Sequence, residues 1–372
     1  MEDPVMKTKI LFRKPITLLH LFLICCLVAC PVIKGQKIDE AVQKAYELRM
    51  NGKADESQVI LEKALSEDST NALAWYELAR TKHHMGLGNT QALIQNFDDL
   101  AETIEKATLA DSENAIYKFY QGYAYCLHWY FSLMTGSEKS VEDLTRVEKT
   151  FNKVLSIKPD YHEARLYLVE ILGNLPDSLG GNRKKAEEHI YQLEKEDVIY
   201  AARAKELIMP FDADRVEFWN KVSDTHEGNA EVLAGLGKAY MYKDKIDECK
   251  NNFIKAIEAD PEKNILYLDL ARYHLMNARK ENEFDQERLS LAFEEFSNYL
   301  DTEPNRSLQA FTYSFMARIK QMIGDPNEAE NLIKQAEEAD PYFSIAFGIP
   351  PLVLFTPPTE IAYFHGSFFR PF

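Results

Sequence analysis

The stretch from Ala230 to Pro261, AEVLAGLGKAYMYKDKIDECKNNFIKAIEADP, decides the fold. Leu233, Leu236, Gly237 and Tyr240 recur three and four residues apart, which places them on one face of a helix. After a short Lys243-Asp244-Lys245 turn the same spacing returns in Cys249, Phe253 and Ala256, and Pro261 stops the second helix. Gly237 offers no side chain at the seam, so the second helix can approach closely. Phe253 and Ala256 then fill that seam from the other side.

Working outward, the signature returns along most of the chain. Tyr313, Met316, Ala317, Lys320, Ala329, Ile333, Ala336 and Pro341 repeat it without interruption. Tyr267, Leu270 and Ala271, then Ala292, Phe296, Tyr299 and Pro304, repeat it with nine extra residues between the helices. Trp75, Leu78 and Ala79, then Ile104, Ala107 and Ser112, also carry nine, and Gly122, Tyr125, Val147, Phe151, Val154 and Pro159 carry thirteen. Leu61, Ala64 and Ser69 close a first unit that begins near Ile38. Leu168 and Val169 with Ala186, Ile190 and Leu193 form a fourth, and a weak fifth runs through Ala204, Val216, Trp219 and Val222. Ser69 and Ser112 stand where the other units close with proline.

This combination of small, ring and proline positions resembles the tetratricopeptide repeat, a pair of antiparallel helices with a period of about 34 residues. The resemblance covers residues 38 to 343 and implies an all-α, right-handed superhelical solenoid of about eight helix pairs, some with extended helices. One pair cannot bury its apolar face alone, whereas stacked pairs form a continuous core.

Composition narrows the partner. The chain has 372 residues, 59 acidic and 43 basic, with 46% apolar and 12% aromatic residues. A net charge of −16 works against nucleic acid or an anionic membrane surface, both polyanions. The apolar content excludes a disordered chain.

The start of the chain reads as an export segment, residues 1–35. Lys7, Lys9, Arg13 and Lys14 precede an apolar run from Ile16 to Ile33, the order of a secretory signal. Two cut sites compete: Gly35 before Gln36 suits ordinary signal peptidase, while Leu27-Val28-Ala29-Cys30 is similar to a lipobox that would place a lipid on Cys30. A retained anchor is the third reading, because the run just reaches spanning length. The expected location is thus periplasmic or secreted, with lipid anchoring at Cys30 as the alternative. Past this leader only Cys126 and Cys249 remain, several repeats apart and beyond disulfide reach in a solenoid, so two buried free thiols are expected.

Three stretches depart from a plain solenoid of residues 36–343. Cys126 to Met134 prolongs the first helix of the third unit by about two turns. Its Trp129, Tyr130 and Phe131 either wall an apolar pocket, helped by an insert from Gly86 to Asp98, or pack on neighbouring helices. Gly180-Gly181-Asn182 followed by Arg183, Lys184 and Lys185 opens a helix with an Asn cap. Its three bases either hold an anion or form a solvated turn. Residues 344–372 form an apolar tail rich in proline and aromatic residues, expected to cap the last repeats or to reach a partner or the groove.

Nothing in the sequence reads as catalytic: His83 and His84 are adjacent and point about 100° apart, and no zinc-spaced cysteines or nucleotide loop occur. No enzyme, cofactor or metal is expected. In the resembled family, ligands lie along the concave face formed by the first helices. The residue after each small seam residue turns towards that face. These positions read Tyr46, Arg80, Tyr123, Glu170, Lys238, Arg272 and Arg318, a basic and partly aromatic stripe in an acidic chain. They either grip an acidic peptide through Arg forks or pair with acids on the next repeat. The expected function is a non-enzymatic, exported scaffold that binds a protein or peptide in a bacterial envelope. The alternative is a lipoprotein-like carrier of an apolar small molecule, associated with a transport system and marked by Trp129, Tyr130 and Phe131.

Overall fold

The computed structural model describes residues 39–87, 97–279 and 283–343, so the leader, the Cys30 site and the tail lie outside the described residues. Sixteen α-helices fill that span and fall into eight consecutive pairs. The first pair is α1 (39–50) and α2 (Ala54–Glu67), the second α3 (Ala72–Leu87) and α4 (Phe97–Ala110). The third is α5 (Ala115–Met134) and α6 (Ser140–Ile157), the fourth α7 (His162–Asn174) and α8 (Arg183–Glu196). The fifth is α9 (Val198–Leu207) and α10 (Arg215–Ser223), the sixth α11 (Ala230–Tyr242) and α12 (Ile246–Ala259). The last two are α13 (Leu266–Asn277) with α14 (Gln286–Leu300), and α15 (Arg306–Met322) with α16 (Pro326–Ala339). Together they form an all-α solenoid of tetratricopeptide-type helix pairs. The Arg279–Phe284 contact in the α13–α14 connection is an isolated antiparallel bridge.

The deciding stretch becomes α11 and α12. Asn229 accepts from the Glu231 and Val232 amides at 3.0 and 3.2 Å, supplying a partner for donors that the first turn leaves open. A Cβ on Gly237 would meet the Phe253 ring at 2.5 Å, which is why no larger residue fits there. Cys249, Phe253 and Ala256 are buried on the facing helix. Asn182 caps α8 in the same way, accepting from Lys185 N at 3.0 Å. The three bases that follow it are paired: Arg183 with Glu187, Lys184 with Glu188 and Lys185 with Glu148.

Within each pair the helices pack on one another, except in the fifth. There α9 packs mainly on α7 and α8, and α10 mainly on α11. Their shared contact is a small cluster in which Ala202 of α9 meets Trp219 of α10, Val232 and Leu236. A Cβ on Gly235 would lie 2.5 Å from the Trp219 ring, so that glycine makes the indole's seat.

The two ends of the solenoid touch. The turn between α1 and α2 places Gly52 at φ +75°, where a Cβ would lie 3.0 Å from Asp340 Cα and closer still to the Ala339 carbonyl oxygen. Asp340, fully buried, accepts from His84 Nε2 of α3 at 2.8 Å and from Ser307 Oγ at 2.6 Å. Phe343 packs against the His84 ring at 4.9 Å between centroids, and Tyr342 lies at 6.1 Å.

Candidate functional site

The inner face follows from the repeat register. The residue after each seam residue and the one four further on stand one above the other on a single helix stripe. Across the chain that stripe changes character twice, in charge and in exposure.

At the N-terminal end it is ring-lined. Glu77 bonds Arg49 Nε at 2.7 Å and Arg80 Nη1 at 3.4 Å, with both Arg49 and Glu77 buried. Arg80 lies over the rings of Tyr46 and Tyr76, at 5.8 and 5.4 Å. The Tyr76 and Tyr120 rings meet edge to face at 5.5 Å, and His83 Nδ1 shares a 3.0 Å hydrogen bond with the Tyr120 hydroxyl. Tyr123 continues this surface between His83, Tyr120 and Tyr167. Burial, followed by the nearby His84, Arg49 and Arg80 charges, pushes His83 down to about 3, so it is neutral in the folded protein. Burial holds the Tyr120 and Tyr123 phenols above their ordinary range.

At the C-terminal end the stripe is basic. Lys238 pairs with Asp269 at 3.0 Å, and Arg272 reaches the same carboxylate at 3.7 Å. One repeat earlier, Arg203 pairs with Glu231 at 3.7 Å, and Lys263 bonds Glu231 as well. Glu206 also faces this cluster but pairs with Arg215 at 3.9 Å. Two bases thus meet each carboxylate: Lys238 and Arg272 at Asp269, Arg203 and Lys263 at Glu231. The charges settle accordingly. Burial pulls the Arg272 guanidinium down to about 10 although Asp269 opposes it. Burial also disfavours the Lys238 ammonium, but Asp269 outweighs it and the net shift is upward. For Glu231 burial raises the carboxyl while Arg203 and Lys263 more than compensate, so it stays ionised.

The stripe residues named from the sequence therefore separate into two groups. Arg80 and Tyr123 belong to the ring-lined end, Lys238 and Arg272 to the basic end, and Arg318 stands exposed beyond it on α15. Arg203 is a member that the sequence reading passed over. Ala202, not Ala204, faces Trp219 in the fifth pair, and the residue after Ala202 is Arg203. Trp129 is fully buried inside α5, while Tyr130 and Phe131 are partly buried against the same core. Phe131 meets Phe97 at the start of α4 at 5.1 Å. The insert's rings thus pack on neighbouring helices.

Among the described residues no group of three or more His, Cys, Asp or Glu side chains could hold a metal ion. None of the described helices is long and apolar enough to cross a membrane.

Residues 50–204 match the family described as TRAP transporter T-component, and residues 230–263 match the tetratricopeptide repeat. Among solved structures, a tetratricopeptide repeat protein from Parabacteroides merdae is 14% identical, covering 82% of this chain and 93% of its own, with a TM-score of 0.34. The C-terminal part of a repeat-containing protein from Cytophaga hutchinsonii is 13% identical, with 81% and 95% covered and a TM-score of 0.28. PilW, a type IV pilus biogenesis factor, is 14% identical, with 70% and 92% covered and a TM-score of 0.29. No curated protein matches the sequence.

Proposed function

We propose that this chain, which belongs to the tetratricopeptide-repeat proteins, is a non-catalytic, exported scaffold that holds an acidic protein segment on the basic part of its inner face. The observation that supports this reading is the gathering of Arg203, Lys238, Lys263 and Arg272 on one stretch of the stripe, two bases meeting each of Glu231 and Asp269. A chain of net charge −16 repels acidic partners elsewhere, so a local cationic excess both selects and orients them. Lys238 keeps a third of its side chain accessible, which leaves donors for an incoming carboxylate. Arg80 and Arg318 extend the surface on either side, whereas Tyr123 is buried beneath it. The leader places this activity in a bacterial envelope, free or held by a lipid on Cys30.

The test is capture from native envelope extract with the wild-type chain and with Lys238→Glu/Arg272→Glu, each checked for an intact helical spectrum. A protein retained by the wild type and lost by the variant supports the reading. Equal capture by both removes the basic surface from recognition.

A second reading draws on the match of residues 50–204 to the TRAP transporter T-component family. It makes the chain a partner of a transport system that carries an apolar small molecule, at a site other than the Trp129, Tyr130 and Phe131 rings, which are taken up by packing. Native mass spectrometry would then find a lipophile on the purified protein, in the charge-reversed variant as well as in the wild type.

A further inference from the structure

The inner face carries one base–acid–base arrangement twice, in the same repeat register. Glu77 and Arg80 stand two residues before and one after the seam residue Ala79, and Asp269 and Arg272 stand likewise around Ala271. In each case a base from the preceding first helix meets the carboxylate, Arg49 at 2.7 Å and Lys238 at 3.0 Å. The two copies differ in enclosure. The Asp269 and Lys238 side chains are 15% and 33% exposed, whereas those of Glu77 and Arg49 are 4% and 2% exposed. The first copy suits a polypeptide side chain arriving from solvent, the second a small molecule.

The enclosed copy holds donors that its own side chains leave unsatisfied. The Nε of Arg49 bonds Glu77, its Nη1 has the Met50 sulfur at 3.6 Å, and its Nη2 meets no acceptor. On α3, His83 is 1% exposed. With the Tyr120 phenol donating to Nδ1, the neutral ring carries its hydrogen on Nε2, which also meets no acceptor. Arg49 is near enough for its charge to act on this ring. A buried guanidinium short of acceptors is costly, and a carboxylate supplies both the charge and the oxygens that it lacks. The surrounding walls are aromatic. Arg49 lies over the Tyr46 ring at 5.4 Å, Tyr76 stands one turn before Arg80 on α3, and Tyr120 meets Tyr76 edge to face. Such walls favour an apolar body, best a second ring.

We infer that Arg49 and His83, walled by Tyr46, Tyr76 and Tyr120, form a binding site for a small aromatic monocarboxylic acid. Its carboxylate takes the hydrogen bonds that Arg49 Nη2 and His83 Nε2 have to give, and its ring lies against the tyrosines. The site is built by α1, α3 and α5, away from Lys238 and Arg272 on α11 and α13, and it rests on neither reading of the function given above.

The experiment titrates the full chain with benzoate, and with benzyl alcohol as its uncharged match, by calorimetry and by hydrogen exchange. Benzoate should saturate one site, at least tenfold more tightly than benzyl alcohol, and should slow exchange in α1 and α3. Arg49→Lys keeps a charge against Glu77 but loses Nη2, and should weaken benzoate at least tenfold. Tyr46→Ala removes a half-buried ring and leaves the Arg49–Glu77 pair in place, so it should fold and weaken benzoate several-fold. Lys238→Glu/Arg272→Glu should bind benzoate like wild type, which keeps this result distinct from protein capture by the basic surface. Absence of saturation by benzoate would overturn the inference, since the two donors then meet only water. Saturation that neither Arg49→Lys nor Tyr46→Ala weakens, or that the Lys238 and Arg272 variant abolishes, would overturn it too. So would binding confined to an end-blocked peptide with a single Glu, which would make the ligand a protein side chain.

Discussion

Substituting Gly52 and Gly324 by alanine measures the end-to-end contact of the solenoid directly. Both glycines occupy the turn between the two helices of a unit, with φ at +75° and +82°. Alanine in that left-handed conformation costs about 1 kcal/mol wherever it occurs. At Gly324 a Cβ meets nothing within 4 Å, so that backbone cost is all Gly324→Ala should show. Asp244 holds the same turn position in the sixth unit with φ +53°, and its carboxylate there accepts from Tyr273 and Arg288, so a side chain is tolerated at this position where its neighbours accommodate it. At Gly52 the new Cβ would press on Ala339 and Asp340. Relieving that contact displaces Asp340 from His84 and Ser307, both buried, and an unpaired buried donor costs about 1–3 kcal/mol. Gly52→Ala should therefore cost about 3 kcal/mol in total, and about 2 kcal/mol more than Gly324→Ala.

Urea unfolding of the two variants gives the difference, and hydrogen exchange locates it. In a linear solenoid a lesion in the first turn loosens only its neighbours. Here Gly52→Ala should speed amide exchange around Asp340, where about 2 kcal/mol corresponds to roughly a thirtyfold change in opening. Equal destabilisation by the two variants, or exchange changes restricted to α1–α3, would refute the closure.

Two further outcomes follow from the buried groups. His83 titrates near 6.5 in the unfolded chain but only at about 3 when folded. Between those values the unfolded chain binds a proton that the folded one refuses, so stability falls as pH drops from 6.5 towards 3, at up to about 1.4 kcal/mol per pH unit. Urea midpoints across pH 7 to 4.5 should show this slope, and His83→Gln should make it shallower; an unchanged slope would place His83 in contact with solvent. Cys126 and Cys249 are buried, the Cys249 thiol pushed up to about 12 first by burial and then by Asp269 and Glu295. Maleimide labelling read by mass spectrometry at these two positions should be absent in the folded chain and complete in urea; rapid labelling of either contradicts that burial.

The repeat seams were legible because their chemistry is local. Gly237, Cys249, Phe253 and Ala256 advertise a helix pair by spacing alone, and α11 and α12 form just there. The extension of α5 through Met134 was legible for the same reason, since an uninterrupted apolar helix pattern ran past the expected turn. The ring closure was not. Asp340 looks like Asp260: each precedes a proline, and each accepts from the amide two residues on at 3.0 Å. What sets Asp340 apart is its second oxygen, which meets His84 from a helix 256 residues away. Nothing in the neighbourhood of either residue encodes that distance. Arg203 was missed through a two-residue ambiguity among small residues, Ala202 against Ala204, that only the seat of Trp219 resolves.

The weak fifth pair and the closed ends act on one another. Because α9 packs with the fourth pair and α10 with α11, the ring-lined and basic halves meet at a joint whose main filling is the Trp219 indole over Gly235. In an open solenoid such a joint would let the halves swing freely. Here the contact of Gly52 and His84 with Asp340 ties the far ends together, so the halves are held at two places, and loosening one leaves the other in charge of the spacing. Trp219→Ala removes a large buried ring and should cost about 3–5 kcal/mol. It should nevertheless leave the radius of gyration in X-ray scattering nearly unchanged, as should Gly52→Ala. Only the double variant should expand, because only there are both ties cut, and the sites should behave as coupled despite lying in separate repeats. Expansion in either single variant as large as in the double would show that one tie alone sets the width of the groove.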